Sequence, residues 1–264
     1  LPLSYYRDAM RRVADSAPDL LFITGDFVTR AEYTPLLPSV LRLAAGRLGS
    51  FAVLGNHDAW ADAPRVAETV AASGVRMIGD QVVRIPIRDG LTVAVHGCEH
   101  PWSDEVAPDA KAQAPLPAGP QHPAAGRPAC LRPENGSGSH PPASSGSELA
   151  FLLTHTPDNI YRVNGSGFNA VFAGHYHGGQ ICLPGFGPLV VPSKYGRLLD
   201  RGHFVFGDAH LFVTAGVGSA EPPVRLWCQP DILIVDFLPG KAATAATGAP
   251  AAEDPARPGP DRLR

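Results

Sequence analysis

Short runs of large apolar residues recur along this chain, and each tends to stop at a glycine followed by a polar or ionisable side chain. Residues 4–19 (SYYRDAMRRVADSAPD) space Tyr6, Met10 and Val13 at helical intervals behind a serine cap, Ser4, and Pro18 ends the element. LLFIT (20–24) then predicts a buried strand that stops at GD. A helix over 34–48 (TPLLPSVLRLAAGRL), a strand over 51–54 (FAVL) stopping at GNHD, and a helix over 64–73 repeat the theme. VVRIPI (82–87) and LTVAVHG (91–97) alternate as strands with one better-covered face. Further on come a strand in LAFLLTH (149–155), a short helix in TPDNIYRV (156–163) and a strand in FNAVFAG (168–174). HFVFGD (203–208), HLFVTAGVG (210–218) and DILIVDF (231–237) read as strands by their Val, Phe and Ile content. Alternating strands and helices predict an α/β domain whose strands gather their C-terminal ends along one edge.

Two segments break the pattern. Residues 103–148 are rich in Pro, Gly, Ser and Ala with almost no large apolar side chains, which predicts a disordered surface insertion, with His122 and His140 as solvated loop residues. Residues 239–264 have the same character and predict a disordered tail, so that one domain occupies 1–238. A length of 264 residues with 44% hydrophobic content suits one sizeable core. The formal charge of -3, without any Lys/Arg run, gives no footprint for binding a nucleic-acid duplex. Cys98, Cys130, Cys182 and Cys228 form no C-x-x-C pair and are expected as small buried hydrophobes, not as a zinc ribbon or a disulfide scaffold. No apolar stretch approaches the roughly 18 residues of a membrane span, and residues 1–20 show no signal-peptide pattern.

The candidate chemistry sits at four of the predicted strand ends: ITGD ending in Asp26, VLGNHD with Asn56, His57 and Asp58, FLLTH ending in His155, and FAGHYH with His175 and His177. The GG after HYH already supplies what a turn needs, so the two histidines are surplus to backbone geometry. Each end alone is weak, since a histidine after a strand is more often a hydrogen-bonded structural residue. In an α/β sheet, however, the four ends converge on one crevice. Imidazoles with oxygen donors suit Zn, Mn or Fe, and the lack of cysteine in the set argues for an open, catalytic site over a closed structural one. A carboxylate can bridge two such ions, and Gly25, Gly55 and Gly174 would let the backbone bend beneath them.

The series GD, GNHD, TH, GHYH, in this order and spacing, resembles the calcineurin-like metallophosphoesterase superfamily. GHYHGGQICLPGFGP and the later GVGSAEPPVRLWCQPDILIVDF are similar to its bacterial, membrane-associated phosphodiesterase branch. The resemblance implies a four-layer α-β-β-α sandwich of two mixed sheets flanked by helices. It also implies two divalent metal ions and in-line attack on a phosphodiester by a metal-bound hydroxide. It makes Asp26 the bridging carboxylate, with Asn56, His155 and His175 completing one site and His177 belonging to the other. His57 would stand beside the scissile group, oriented by Asp58. The substrate implied is a small-molecule or lipid-linked phosphoester, with association at a membrane surface.

The family's D-x-H motif at the end of a first strand has no counterpart before Tyr5, and the D-x-H of Asp208 to His210 falls in a late hairpin. The expectation is a sheet missing its first strand, one incomplete metal site, low activity of this chain, and a location that is cytoplasmic or membrane-associated through a preceding segment. A relative that keeps one metal and serves as a binding module, and a phosphomonoesterase, are the alternatives. Arg225 is a candidate for pairing with a phosphate or a carboxylate, and Gln180 and Lys194 are candidates for the substrate entry. His96 and His100 overlook the cleft or pack in the core, and Cys182 is expected to be structural.

Overall fold

The structure is a computed structural model that describes residues 1–88, 90–101 and 148–238. The expected insertion up to residue 147, with His122, Cys130 and His140, and the expected tail 239–264 lie outside the described residues. Glu148, placed in the insertion by composition, is the first residue of a strand.

The elements run α1 (Leu3–Asp15), β1 (Leu20–Ile23), α2 (Pro38–Leu41), β2 (Gly49–Ala52), α3 (Asn56–Ala72), β3 (Arg76–Met77), β4 (Val82–Arg88) and β5 (Leu91–Cys98). Then follow β6 (Glu148–Thr154), α4 (Ile160–Val163), β7 (Ala170–Ala173), β8 (Cys182–Leu183), β9 (Gly187–Pro188), β10 (Gly202–Phe206) and β11 (Ala209–Val213). The smaller sheet, β1-β2-β3, is parallel throughout its described strands, where a mixed sheet was expected. The larger, β10-β11-β7-β6-β5-β4, is mixed: β5, β6, β7 and β11 run parallel, with β4 and β10 antiparallel at its two edges.

Period-two alternation decides what lies between the layers. Phe151 and Leu153 of β6 face the smaller sheet and share a core with Phe51, Val53 and Phe22, whose ring lies 5.0 Å from Phe172. Leu152 points the other way, into a core with Ile160, Val163, Phe168 and Val171. Behind the smaller sheet, Val66 and Val70 of α3 close on Ala52, Leu41 and Val28. Helices, small sheet, large sheet and helix thus stack in the four layers expected.

Four local expectations are corrected. Prolines cut the helix over 34–48 down to a 3-10 turn, Ala31–Leu36, and the four-residue α2, because a proline ring clashes with the preceding turn. Helix α3 starts eight residues earlier than expected, at Asn56 itself, and leaves helical geometry at Asp62 (φ -174°, ψ 80°), two residues before Pro64. At α1, Pro2 occupies the cap position and Ser4 lies inside the helix. Residues 231–238 form no strand; Phe237 packs 4.8 Å from Phe151, but apolar content without a ladder partner does not make a sheet.

Candidate metal centre

The parallel order of β1 with β2 and of β6 with β7 carries all four motif ends to one side of the two sheets. There one contact joins the sheets directly, His155 Nδ1 lying 2.5 Å from the Thr24 carbonyl oxygen, while the Gly174 amide donates to the His155 carbonyl at 2.9 Å and ties the end of β7 to that of β6. A carbonyl only accepts, so Nδ1 carries a proton in either charge state, and in the neutral ring Nε2 presents its lone pair. Around Nε2 stand Asp26 Oδ2 at 3.2 Å, Asn56 Oδ1 at 3.2 Å and His175 Nδ1 at 3.0 Å. Donor atoms of Asp26, His155 and His175 all lie within 4.8 Å of one another. Asp26 Oδ2 is buried with no partner besides its 3.2 Å ion-pair contact to the His155 ring, a costly arrangement unless a cation fills the gap. This orphaned oxygen and the converging lone pairs fit a divalent ion.

Burial works against charge on His155, yet the Asp26 carboxylate outweighs it and raises the ring's pKa. Burial also opposes charge on Asp26, but His155 overrides it and holds the carboxyl at about 2. His175 is pushed down to about 3, first by burial and then by His155. His175 is therefore a neutral donor at any ordinary pH, and the one proton on His155 Nε2 is what an ion must displace.

Backbone crowding explains the glycines better than bending does. A Cβ on Gly55 would sit 2.1 Å from Asp26 Oδ1 and 2.7 Å from His155 Cε1; one on Gly174 would meet Thr24 Oγ1 at 2.5 Å. Gly25, at φ +93°, is the one of the three that also needs left-handed freedom. Asp26 (φ 58°), His175 (φ 67°) and His177 (φ 51°) adopt that region despite their side chains, a strain typical of functional sites.

Of the remaining expected residues, His57 and His177 line the same cleft, a cavity of about 550 Å³ that also includes Asp26, Asn56 and His175. His57 donates its backbone N–H to Asp26 Oδ1 at 2.9 Å, and its ring stands edge-on to Trp60 at 5.1 Å. Asp58 does not orient that ring. Its oxygens accept from the Val28 and Gly55 amides at 3.1 and 3.0 Å, so it caps α3 and pins the β1 loop, and burial lifts it to about 6. His177 stays outside the three-residue group, its Nδ1 accepting from Arg225 Nη2 at 3.3 Å, and burial followed by Arg225 lowers it to about 4.

Among the described residues Arg225 makes no carboxylate pair. It binds the carbonyls of Ala215, Gly216, Gly218 and His177, fastening the loop behind the cleft. Gln180 lines the cleft but spends its amide on Ala220 and Pro222, while the Lys194 backbone is held by Asp158 away from the lining residues. His96 is buried against Phe168 at 5.0 Å, the His100 carbonyl receives Asn159, and His210 stacks on His203 in the β10-β11 hairpin, at the far end of β11 from the cleft. Two contributors carry no motif signal. The Thr24 carbonyl fixes the His155 proton, and Glu99, reaching from the end of β5, accepts the Leu54 amide at 2.8 Å to hold the loop before GNHD.

Two outcomes follow from this geometry. Gly55→Ala forces the Asp26 carboxylate aside and should weaken Mn binding by about tenfold or more, the usual cost of disturbing a ligand's support, in a calorimetric titration; wild-type affinity would refute the close approach. Because His155 holds its proton beyond the ordinary 6.5, affinity should rise up to about tenfold per pH unit until that raised pKa is passed. One proton should be released per ion, read from binding heats in buffers of different ionisation enthalpy. A flat profile without release would show that Nε2 is not a ligand.

A profile of the calcineurin-like phosphoesterase family matches residues 2–179. The chain is 26% identical to the uncharacterized metallophosphoesterase YkuE of Bacillus subtilis (strain 168), over 84% of this chain and 68% of that protein. It is 25% identical to phosphodiesterase YaeI of Escherichia coli (strain K12), over 90% and 77% respectively. It is 27% identical to UDP-2,3-diacylglucosamine pyrophosphatase LpxG of Chlamydia muridarum (strain MoPn / Nigg), over 90% and 79%. No solved structure matches the chain. With more than half of its length matching that profile, through both histidines of GHYHGG, the chain belongs to the calcineurin-like phosphoesterase family of metal-dependent phosphoester hydrolases.

Proposed function

We propose that this enzyme hydrolyses a phosphodiester whose one end carries an apolar group, using two divalent ions of the Mn, Zn or Fe kind. The observation that carries the reading is the set of lone pairs meeting at His155 Nε2 on the floor of a cleft with apolar walls. Asp26, Asn56, His155 and His175 would hold one ion. Asp26 and His177 would contribute to the second, for which the His177 ring must give up its contact with Arg225. When bound, such ions polarise phosphoryl oxygens and acidify water. His57, at the cleft surface and steadied by Trp60, would donate a proton or hydrogen bond to the leaving oxygen.

The walls argue for the substrate's other half. Trp60 (66% exposed) faces the cleft with Ile181, Leu189, Val190 (73% exposed) and Pro192, and among the described residues no positive side chain for a nucleotide's further phosphates lines it. Large apolar groups left in solvent beside a polar floor suit an amphiphilic ester. The relatives named as a phosphodiesterase and as a diacylglucosamine pyrophosphatase are in keeping with this. Among the described residues no helix is long and apolar enough to cross a membrane.

With Mn present, the chain should turn over a nitrophenyl phosphodiester faster than the monoester, and an acylated diester should show a lower KM, by at most about fourfold per methylene buried. Trp60→Ala should erase the acyl advantage. His57→Ala should cut kcat by about 10²- to 10⁴-fold while leaving Mn affinity in place. Preference for the monoester would make the protein a phosphomonoesterase, and tight metal binding without turnover of either would make it a binding module.

A further inference from the structure

Two cysteines that the hydrolytic reading does not use lie directly behind the cleft. Cys182 and Cys228, 8% and 2% exposed, form a small core of their own with Ala215. Cys182 Sγ donates to the Gly178 carbonyl at 3.2 Å, and Cys228 Sγ reaches that same oxygen at 3.4 Å and the His177 carbonyl at 3.0 Å. Burial, and next the neighbouring Cys228, raise the pKa of the Cys182 thiol. Both thiols are free in this structure.

The backbone brings them together. Ile181 bridges Leu226 in parallel, with the Cys182 amide donating to the Leu226 carbonyl and the Leu226 amide to Gln180, each at 2.9 Å. Neighbouring strands lie about 4.8 Å apart, and Cys228 is one residue out of step with Cys182, or about 3.3 Å along the chain. For a regular strand that gives a Cα separation of about 6 Å, within the range of about 4.4 to 6.8 Å that a disulfide accepts, and the shared Gly178 carbonyl keeps the two sulfurs on one side. In a regular strand Cys228 would point to the side opposite Cys182. Trp227, at φ +49°, breaks the alternation, leaving its own ring 63% exposed and turning Cys228 inward.

We propose that Cys182 and Cys228 are an oxidisable dithiol whose conversion to a disulfide lowers the activity of the neighbouring metal centre. With a hydroperoxide as oxidant, one thiolate attacks the peroxide oxygen and becomes a sulfenic acid, releasing water or the alcohol. The second sulfur then displaces hydroxide from it, so that both thiol hydrogens leave as water and the S–S bond forms. The bond removes both S–H donors from the carbonyls of His177 and Gly178. It also draws Cys228 away from Arg225, which touches Cys228 Sγ at 3.7 Å as well as the His177 carbonyl and ring. The turn that presents His177 to the cleft therefore loses the supports on its buried side. The effect on catalysis rests on the phosphoesterase reading; the formation of the bond does not.

The test is to treat the full chain with hydrogen peroxide and map its unreduced peptides by mass spectrometry. A linked pair of peptides carrying Cys182 and Cys228, lighter by about 2 Da than the two thiols, is expected, and dithiothreitol should reverse it. Turnover and Mn affinity should fall by about tenfold or more with the link and return on reduction. In Cys182→Ser no link forms, and turnover and Mn affinity should no longer fall with the oxidant relative to the untreated variant. Both thiols still free to alkylation after peroxide treatment and unfolding, or linked elsewhere, would overturn the proposal. So would a 182–228 bond that leaves Mn affinity unchanged. If the chain proves inactive from the start, the peptide map and Mn affinity still decide the question.

Discussion

The proton on His155 Nδ1, held by the Thr24 carbonyl, sets the terms for everything around it. With that proton fixed on the side facing β1, the opposite nitrogen of the neutral ring has only a lone pair to offer. Its neighbours are Asp26 Oδ2 and Asn56 Oδ1, which have only lone pairs as well, and His175 Nδ1, which has one in the tautomer protonated at Nε2. Such an arrangement repels itself unless positive charge enters. Without an ion a single proton must serve these acceptors: against burial, the Asp26 carboxylate raises the His155 pKa and His155 lowers that of Asp26, while burial, ahead of His155, lowers that of His175. A divalent ion serves all of them at once. The support behind the ligands is thus as much a part of the centre as the ligands.

The fold makes this contact available. Thr24 belongs to the loop after the first strand of the small sheet, and His155 follows the central β6 of the large one, so the hydrogen bond is also a seam between layers. Aromatic rings fill the space between the sheets, Phe22 against Phe172 and Phe151, and fix the distance across which the loops must meet. At the seam itself there is no room for side chains, and Gly55 and Gly174 sit where a single methyl group would collide with Asp26 or Thr24. Behind the cleft the same economy holds, with Arg225, Gln180 and two thiols all spent on backbone carbonyls and amides around the His177 turn.

The strands and their converging ends were legible because each is a compact apolar run with a polar stop, whereas the four layers came from the family resemblance, and alternation within β6 shows in the structure how they pack. The helices were less so. Proline at 35 and 38 overrode an apparently helical pattern, and the start of α3 was hidden because GNHD reads equally as a turn until Asp58 is seen accepting the Gly55 amide. Among site residues, Asp26, His155 and His175 could be named from type and order. What Asp58 and Arg225 touch could not, because their partners are main-chain atoms and a main-chain atom leaves no trace in a sequence. Glu99 and the Thr24 carbonyl were missed for the same reason. The cysteine pair escaped because a bridge between 181 and 226, and a left-handed residue at 227, join positions that lie far apart along the chain.

The central claim is that these lone pairs grip one cation together. Crystals of the chain grown with manganese, with data collected across the metal's absorption edge, test it directly. The account predicts an anomalous peak in contact with Asp26 Oδ2, His155 Nε2, His175 Nδ1 and Asn56 Oδ1, with His155 Nδ1 still on Thr24. Strong anomalous density elsewhere, with these four side chains turned apart and no ion between them, would contradict it.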